Sequence, residues 1–492
     1  MPPSLPRMNS PKPIDIPLPT RRDFLRQSGL GFGTLALATL LGEQHGGAAV
    51  TVNAANPLAV RPPMLPARAK RVIWLFMTGA PSQVDTWDYK PELQKRGGQT
   101  LPGSDPKTGF FTTSGKILAS PFGWKQHGQS GSWVSDIFPN LAQHVDKMCF
   151  IHSMHLKANN HAPASMELMC GASIPGRPSA GSWISYGLGA ENQNLPSFVV
   201  MHETRPRGDD AIWSAGFLPK TYQALTLDAR RKETIDNLLR AKDESETQQR
   251  ATLDLLRDVN ADHAKLRPLQ SELLARINSF ELAYRMQTAA PEALDLADET
   301  TATKELYGID SKVCGTFGRQ CLLARRLIER GVRYVQIFAG KSAGGDGSVN
   351  DVPWDGHNDI EKNHRSCAVA TDQPAAALLH DLAARGLLED TLVIWGGEFG
   401  RTSDSQGSLG RDHNPNGFTI WMAGGGARPG FHYGATDEFG YKAVENKVQA
   451  NDLHATILHL LGIEHEKLTY RYNGLDFRLT GLAGNILHEL VA

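Results

Sequence analysis

Residues 70–88, KRVIWLFMTGAPSQVDTWD, contain the pattern that decides the fold. Val72 to Met77 form an uninterrupted apolar run, which is typical of a strand covered on both faces. The small residues and proline of Thr78–Ser82 then predict a turn, and Asp85 and Asp88 follow it. Because α/β folds place their sites just past the carboxyl ends of central parallel strands, the stretch predicts both a central strand and a site at its end.

The same arrangement of an apolar run followed by polar or glycine-rich residues recurs along the chain. The stretches are MCFIHSM (148–154), SFVVMHE (197–203), VRYVQIFAG (332–340), TLVIWGG (391–397) and GFTIWMAGGG (417–426). Helical patterns such as FPNLAQHVDK (138–147) and QPAAALLHDLAARG (373–386) separate several of them. Alternating strands and helices favour an α/β fold with one central, mostly parallel sheet and helices on both faces.

Residues 222–306 differ from the rest of the chain and are predicted to be a helical insertion in an α/β domain of residues 56–492. The stretch 230–287 contains no glycine and one proline, and its leucines recur at spacings of three and four among charges of both signs. This pattern indicates two or three amphipathic helices. Such an insertion could cover the functional edge of the sheet or mediate assembly, but the oligomeric state itself is not indicated.

The balance of charges gives no reason to expect nucleic acid or an anionic membrane as a partner. The 492 residues include 51 basic and 52 acidic side chains, so no global field attracts nucleic acid or an anionic membrane. The five cysteines are an odd number without a CxxC pair, which does not indicate a disulfide framework. No segment after the N-terminal region is long and apolar enough to predict a membrane span in the mature protein.

Residues 1–55 are interpreted as a signal peptide and linker. The stretch TRRDFLRQSGLGFGTLALATLLG (20–42) begins with the pair Arg21 and Arg22 and continues into a short apolar segment rich in Gly, Ala and Thr. It resembles a twin-arginine export signal, which implies the twin-arginine translocase as a transient partner and a mature protein that is periplasmic or extracellular. An ordinary secretory signal, or a chance pair of arginines, is the alternative.

Carboxylates and imidazoles follow several of the predicted strands. In PWDGHND (353–359), Asp355 and His357 are two residues apart, so in extended backbone they point the same way and could grip one cation. The stretch EFGRTSDSQGSLGRDHNPNG (398–417) is either a solvated surface loop or one wall of a metal site. The candidate metal ligands are Asp85, Asp355, His357, Glu398, Asp412 and His413. Mixed carboxylate and imidazole donors favour zinc, manganese or iron, whereas carboxylates alone favour magnesium or calcium.

Several stretches resemble one protein family. NDLHATILHLLGI (451–463) is similar to a late helix of the alkaline phosphatase and sulfatase superfamily, and HNPNGFTIWMAGGGARPG (413–430) is similar to its final metal-site histidine and last central strand. More closely, LFMTGAPSQVDTWD (75–88), NNHAPASMELMCG (159–171) and GRDHNP (410–415) resemble an exported branch of that superfamily, domain of unknown function 1501. The resemblance runs from about residue 70 to the C-terminus.

The resemblance implies an alkaline phosphatase-like fold and a metal-dependent hydrolase of sulfate or phosphate esters, with anionic polysaccharides among the candidate substrates. It implies a divalent metal ion, with zinc preferred and manganese, iron, calcium or magnesium as alternatives. His161 stands where the superfamily has its nucleophile, and Ser165, one turn later, is the nearest hydroxyl. Arg401 could bind an anionic oxygen with its planar fork, and an ion pair with a nearby carboxylate is the alternative.

The chain departs from the hydrolases of that superfamily at positions that carry chemistry. Asp85 lies several residues later than their first metal-binding aspartate, and Glu398 is followed by Phe399 where they have adjacent Asp and His. His161 replaces a Ser, Thr or Cys; a helix N-terminus would lower the pKa of its imidazole and keep it neutral, able to attack or to accept a proton. Alternatively, His161 caps the helix or binds the metal, and the protein is a non-catalytic descendant that binds a ligand or partner.

Changing Arg21 and Arg22 together to Lys tests the predicted export signal. Twin-arginine recognition requires the guanidinium group and not merely a positive charge, so the double variant should stay in the cytoplasm. Fractionation of cells that produce the parent or the variant measures the exported share. Equal export of the two proteins would contradict the twin-arginine assignment.

Overall fold

The computed structural model describes residues 56–102, 115–203, 205–231, 234–235, 238–240, 243–266, 271–339 and 352–492. These residues all belong to one unit, Val50–Ala492. The predicted export signal, with Arg21 and Arg22, lies outside the described residues. Within the described part of the chain, no helix has both the length and the apolar character needed to cross a membrane.

The strands of the described residues are numbered in chain order. They are β1 (Arg71–Phe76), β2 (Trp124–His127), β3 (Ser132–Ser135), β4 (Met148–Met154), β5 (Phe198–His202), β6 (Leu225–Leu227), β7 (Tyr334–Phe338), β8 (Thr391–Gly396), β9 (Gly400–Gln406), β10 (Gly410–Asn414), β11 (Phe418–Ala423), β12 (Phe431–Tyr433), β13 (Ala435–Thr436), β14 (Ala443–Glu445), β15 (Tyr470–Tyr472) and β16 (Leu475–Phe477).

The α-helices of the described residues are numbered in the same way. They are α1 (Gln83–Thr86), α2 (Pro91–Lys95), α3 (His161–Cys170), α4 (Ala180–Leu188), α5 (Glu246–Lys265), α6 (Ser271–Leu294), α7 (Thr301–Tyr307), α8 (Gly315–Glu329), α9 (Ile360–Ala384) and α10 (Ala450–Leu460). Short 3-10 helices cover Leu141–Lys147, Asp209–Ile212, Lys220–Tyr222 and His488–Leu490.

β1 lies inside an eight-stranded sheet whose strand order is β12-β4-β11-β8-β1-β7-β5-β6. Its neighbours β7 and β8 both run parallel to it, with Val72 opposite Tyr334 on one side and Leu392 on the other. Within this sheet, β11 is antiparallel to its two neighbours and the remaining pairs are parallel. The prediction of an α/β fold with a mostly parallel sheet is therefore confirmed. The sequence does not predict the edge strands β6 and β12, because three residues are too few to show a pattern.

Alternate side chains of β1 are buried in two hydrophobic cores, one on each face of the sheet. Val72, Trp74 and Phe76 belong to one core, and Ile73 and Leu75 belong to the other. Helices α3, α4 and α10 contribute to the first core, and α8 and α9 contribute to the second. Burial of each large apolar side chain contributes about 1.5–3 kcal/mol, so β1 holds the sheet between two helical layers. The predicted helices on both faces are thus observed.

The stretch 398–417 contains a β-hairpin, so the alternative of a solvated surface loop is wrong. β9 and β10 pair antiparallel, with His413 opposite Arg401 and Arg411 opposite Ser405. Both strands are almost completely buried although most of their side chains are polar. Buried polar groups must find hydrogen-bond partners, so the hairpin has to be held by specific contacts rather than by apolar packing.

A buried ion pair holds the hairpin to the segment that follows β1. Arg411 Nε and Nη2 donate to the two carboxylate oxygens of Asp85, at 2.6 and 3.2 Å, and neither side chain is exposed to solvent. Ser82 Oγ donates to the same carboxylate at 2.5 Å. Burial alone would raise the pKa of Asp85, but Arg411 holds it below its ordinary value, so the carboxylate stays ionised.

The helical insertion begins later than the predicted boundary at residue 222. Leu225–Leu227 is the sheet strand β6, and the two long helices of the predicted range are α5 and α6, with the shorter α7 at its end. Arg250 on α5 donates to both carboxylate oxygens of Glu281 on α6, at 3.1 and 2.6 Å. This bidentate pair joins the two helices.

Replacing Arg411 with Met should destabilise the protein by about 3–5 kcal/mol, because Asp85 would be left as a buried charge without its cation. The midpoint of urea unfolding measures the loss. Arg257→Met is the matched control, because Arg257 lies half exposed on α5 and pairs with Asp254, and such surface pairs contribute less than about 1 kcal/mol. Equal unfolding midpoints for the two variants would contradict a structural role of the buried pair.

Candidate metal centre

Three histidines and one aspartate converge at the carboxyl ends of the central strands. One ligand atom from each of His161, Asp355, His357 and His413 can be chosen so that all four lie within 4.8 Å of one another. His161 is the first residue of α3, Asp355 and His357 lie in the segment before α9, and His413 is on β10. Segments far apart in the sequence therefore supply one cluster.

The distances inside the cluster match the spacing of ligands around one small ion. His161 Nε2 lies 3.3 Å from Asp355 Oδ2, and the Nε2 atoms of His357 and His413 lie 2.8 and 3.4 Å from Asp355 Oδ1. The Nε2 atoms of His357 and His413 are 3.0 Å apart. Ligand atoms held about 2.0–2.1 Å from a tetrahedral zinc ion lie about 3.4 Å from one another. The four separations are close to that spacing, and one ligand atom from each side chain lies within 4.8 Å of the others.

Each of the three imidazoles is oriented by an oxygen acceptor at its Nδ1 atom. The pairs are His161 with Glu398 Oε1 (2.6 Å), His413 with the backbone carbonyl of Asn159 (2.8 Å), and His357 with Gln406 Oε1. Because these oxygens accept hydrogen bonds, each Nδ1 carries the proton and donates it. In a neutral imidazole the lone pair is then on Nε2, and all three Nε2 atoms face the cluster.

The Nε2 lone pairs of the cluster repel one another unless a cation lies between them. The neutral Nε2 atoms of His357 and His413 would bring two lone pairs to 3.0 Å, which is repulsive unless a proton or a metal ion lies between them. The buried His161 Nε2 atom has no hydrogen-bond partner among the residues that the structure describes. Its 3.3 Å approach to Asp355 is therefore an electrostatic contact rather than a well-aligned hydrogen bond. A divalent ion would satisfy all of these atoms, and the chain thus has a His/Asp cluster that could bind a metal.

Asp355 is kept ionised by Arg401. Arg401 is fully buried, and its Nη2 donates to Asp355 Oδ1 at 2.5 Å. Burial alone would raise the pKa of Asp355, but Arg401 and the neighbouring histidines hold it far below its usual range. The cluster therefore keeps a negative charge to complement a cation. The structure favours the ion-pair alternative for Arg401 over the predicted binding of an anionic oxygen.

The histidines respond differently to their surroundings. Burial lowers the pKa of His413 to about 4, so this imidazole is neutral near pH 7 and able to act as a ligand. For His161, burial alone would lower the pKa, but the nearby carboxylates of Asp355 and Glu398 raise it above its ordinary value. The predicted lowering of the His161 pKa is therefore wrong, because the carboxylates of Asp355 and Glu398 favour the charged imidazole.

The turn after β1 connects the cluster to the central strand. Gly79 N–H donates to Glu398 Oε1 at 3.0 Å, while Arg401 Nε donates to the Ala80 carbonyl at 3.0 Å and Arg401 Nη2 to the Gly79 carbonyl. Gly79 has φ +100°, and a Cβ atom there would lie 2.8 Å from the backbone nitrogen of Asp355. Only glycine allows this close approach, so the turn fixes the position of Asp355.

Some of the sequence-predicted site residues lie outside the cluster. Asp85 is engaged by Arg411 in the buried ion pair, so its prediction as a metal ligand is corrected. Asp412 accepts a hydrogen bond from His413 N at 2.7 Å and is not among the four converging residues. Glu398 lies behind His161 and orients it, rather than joining the converging atoms.

Ser165, predicted as the nearest hydroxyl, is buried in α3 one turn after His161. Among the described residues, no hydrogen bond links it to the cluster. The sequence also gave no indication of Gln406, Asn159 or the Gly79 N–H group, although all three orient the site. Their contributions come from a side-chain amide and from backbone groups, which no residue pattern marks.

The whole folded region matches one family of proteins. The family model described as "Protein of unknown function (DUF1501)" matches residues 69–491. The chain belongs to this family. The DUF1501 resemblance read from the sequence is therefore confirmed, while its place as a branch of the alkaline phosphatase and sulfatase superfamily stays a prediction. No curated protein matches the chain.

Several solved structures are similar to this DUF1501 protein at low identity. A lipoteichoic acid synthase from Listeria monocytogenes is 10% identical over 87% of this chain and 79% of its own, with a TM-score of 0.33. An alkaline phosphatase from the Antarctic bacterium TAB5 is 12% identical over 80% and 98%, with a TM-score of 0.35. A sulfatase from Pseudoalteromonas sp. is 11% identical over 80% and 68%, with a TM-score of 0.34.

Substitutions at the cluster should separate the candidate ligands from the residues that orient them. The parent protein should bind about one zinc ion, and His357→Ala or His413→Ala should weaken binding by more than about 100-fold, because one of four ligands is lost. Glu398→Gln should weaken it by about 10–100-fold, since it keeps the size of the side chain but removes the charge behind His161.

Competition with a chromophoric chelator measures the zinc affinity of each variant. His263→Ala is the control, because His263 is exposed on α5 and lies outside the cluster. Zinc stoichiometry and affinity that are unchanged in both His357→Ala and His413→Ala would refute the metal centre.

Proposed function

We propose that this DUF1501 protein is a metal-dependent hydrolase of sulfate or phosphate esters. One observation carries the proposal: three imidazoles with oriented Nδ1 atoms and one ionised carboxylate converge at the carboxyl ends of parallel strands, where α/β enzymes place their sites. Three nitrogens and one oxygen are a donor set that zinc accepts readily, so zinc is the proposed ion. Manganese and iron are the alternatives with similar ligand preferences.

The proposed ligands are His161, Asp355, His357 and His413. The ion would supply Lewis acidity, which polarises an ester oxygen and makes water a stronger nucleophile. Arg401 keeps Asp355 ionised, and Glu398 keeps His161 in the tautomer whose Nε2 can bind. The protein residues therefore orient the donors before any ion arrives, which lowers the cost of binding it.

Two of the four cluster residues are more exposed to solvent than the other two. The side chains of Asp355 and His357 are 19% and 20% exposed, whereas those of His161 and His413 are 10% and 4% exposed. A substrate therefore reaches the site from the side of Asp355 and His357. Phe399 lies on the closed side, with its ring centroid 5.0 Å from that of His161 and 4.6 Å from that of His413. Its apolar ring excludes water there and strengthens the electrostatic interactions of the site.

A second function, ligand binding without turnover, is favoured by the position of His161. This residue stands at the start of α3, where the resembling hydrolases have a hydroxyl or thiol nucleophile, and here it belongs to the converging ligand group. Under this alternative the protein is a metal-dependent binding protein. In both cases the predicted twin-arginine route would place it in the periplasm or outside the cell.

Activity assays with metal-loaded protein test the choice between these functions. Protein loaded with zinc should hydrolyse at least one member of a panel of aryl and sugar sulfates and phosphates, at a rate above that of chelator-treated protein. His161→Ala should lose at least about 100-fold in rate, the scale expected for a group that positions or transfers charge. His263→Ala should match the parent.

The metal content of His161→Ala assigns the role of this residue. Loss of zinc together with activity would make His161 a ligand, whereas loss of activity with zinc retained would make it the nucleophile or general base. If no ester of the panel is hydrolysed faster than by the chelator-treated control, the hydrolase proposal is rejected and the binding function is favoured.

A further inference from the structure

A cavity of about 410 Å³ is lined in part by residues that are close in sequence to the metal-ligand cluster. It is lined by Thr78, Ala162, residues 205–209, Ala339 and residues 352–353. None of the four cluster residues lines it, but Ala162 follows His161 and Pro353 is two residues before Asp355. Ligand cavities commonly measure about 300–1,000 Å³, so this one admits a group of the size of a substituted sugar.

One of the two arginines that line the cavity has no counter-ion among the described residues. Arg205 pairs with Asp209 and Asp210, at 3.3 and 2.7 Å, so its charge is compensated and Asp209 is occupied. Arg207 also lines the cavity; its side chain is exposed, and within the described part of the chain it makes no ion pair or side-chain hydrogen bond. An uncompensated guanidinium beside a cavity is a binding group for a carboxylate, sulfate or phosphate.

A buried hydroxyl in the same cavity also has no partner among the described residues. Thr78 is 5% exposed and lines the cavity, and no described residue forms a hydrogen bond with its Oγ1 atom. Its backbone carbonyl is already used, because it accepts from Trp354 N at 3.0 Å. Buried hydroxyls are nearly always hydrogen-bonded in folded proteins, so an orphaned one at the wall of a cavity points to a ligand atom that completes it.

The arginine segment is fixed next to the start of α3. The 3-10 helix Asp209–Ile212 packs against α3, and a Cβ atom on Gly208 would lie 3.6 Å from the Ala162 carbonyl oxygen. Gly208 has φ +101°, a conformation that glycine adopts without strain. The arginine segment is therefore packed beside the helix that begins with His161.

We propose that this cavity is a subsite for a second anionic group of the substrate, with Arg207 as the residue that determines specificity. The reacting ester would sit at the cluster, and a neighbouring sulfate, phosphate or carboxylate on the same molecule would bind Arg207 and accept from Thr78 Oγ1. The preferred substrates are then polyanionic, such as saccharides with more than one acidic group. The substrate assignment rests on the proposed hydrolase function, whereas binding of an anion to the cavity does not.

Titration calorimetry with inorganic sulfate, inorganic phosphate and glucuronate tests the subsite. At least one of these anions should bind the parent, and Arg207→Gln should weaken that binding at least about tenfold, because a charge-assisted hydrogen bond is lost. Arg207→Lys should retain part of the affinity, since it keeps the charge but loses the planar fork. Thr78→Val, which replaces the hydroxyl with a methyl group, should weaken binding by a smaller factor.

Arg257→Gln is the matched control, because it removes the same charge from an exposed position on α5. It should bind the anions as the parent does. If the parent binds none of the three anions at millimolar concentrations, or if Arg207→Gln binds as tightly as the parent, the subsite is overturned.

Two further measurements separate this inference from the hydrolase proposal. The zinc affinity of Arg207→Gln should equal that of the parent, because Arg207 is not among the converging ligands. If no ester is hydrolysed but anion binding depends on Arg207, the hydrolase fails and the anion site stands. If a polyanionic ester is hydrolysed and Arg207→Gln leaves both its KM and the anion affinity unchanged, the hydrolase stands and the subsite fails.

Discussion

The ion pair between Arg401 and Asp355 is the interaction on which the rest of the candidate site depends. Arg401 is fully buried, and its guanidinium also donates to the backbone carbonyls of Gly79 and Ala80 at the end of β1. A guanidinium does not lose its proton in a protein, so it needs an anion beside it once it is buried, and Asp355 is that anion. One side chain therefore ties the central strand, the hairpin and the proposed ligands together. The carboxylate is held ionised and in place by the protein itself.

The imidazoles are oriented by hydrogen bonds from the same region of the fold. Glu398 accepts a hydrogen bond from the Gly79 N–H group and in turn accepts one from His161. The turn after β1 therefore helps to position His161 as well as Asp355. The carbonyl of Asn159 fixes His413 from the residue pair that precedes α3. The proposed ligands are thus oriented by groups that belong to the turn, to the loop before the helix and to the hairpin. Loosening any of these elements would misdirect an imidazole without removing it.

The sequence was informative where physical constraints are local. β1, β7 and β8 were predictable because strands buried on both faces need uninterrupted apolar runs. The hairpin of β9 and β10 was not, because its polar side chains are buried by partners such as Asp85, which lies 326 positions from Arg411. Asp85 and Glu398 look alike in the sequence, since both are acidic residues shortly after a strand. Only the fold determines that Asp85 pairs with Arg411 and that Glu398 pairs with His161.

The long sequence separations within the cluster have a consequence for the order of events during synthesis. His161 and Glu398 are 237 positions apart, and His413 is the last of the proposed ligands to be made. At about 5–20 residues per second, a ribosome needs roughly 20–80 s to travel from Arg22 to His413. The cluster therefore cannot form until most of the folded region has been synthesised. An ion held by all four proposed ligands could therefore bind only near the end of synthesis or after it.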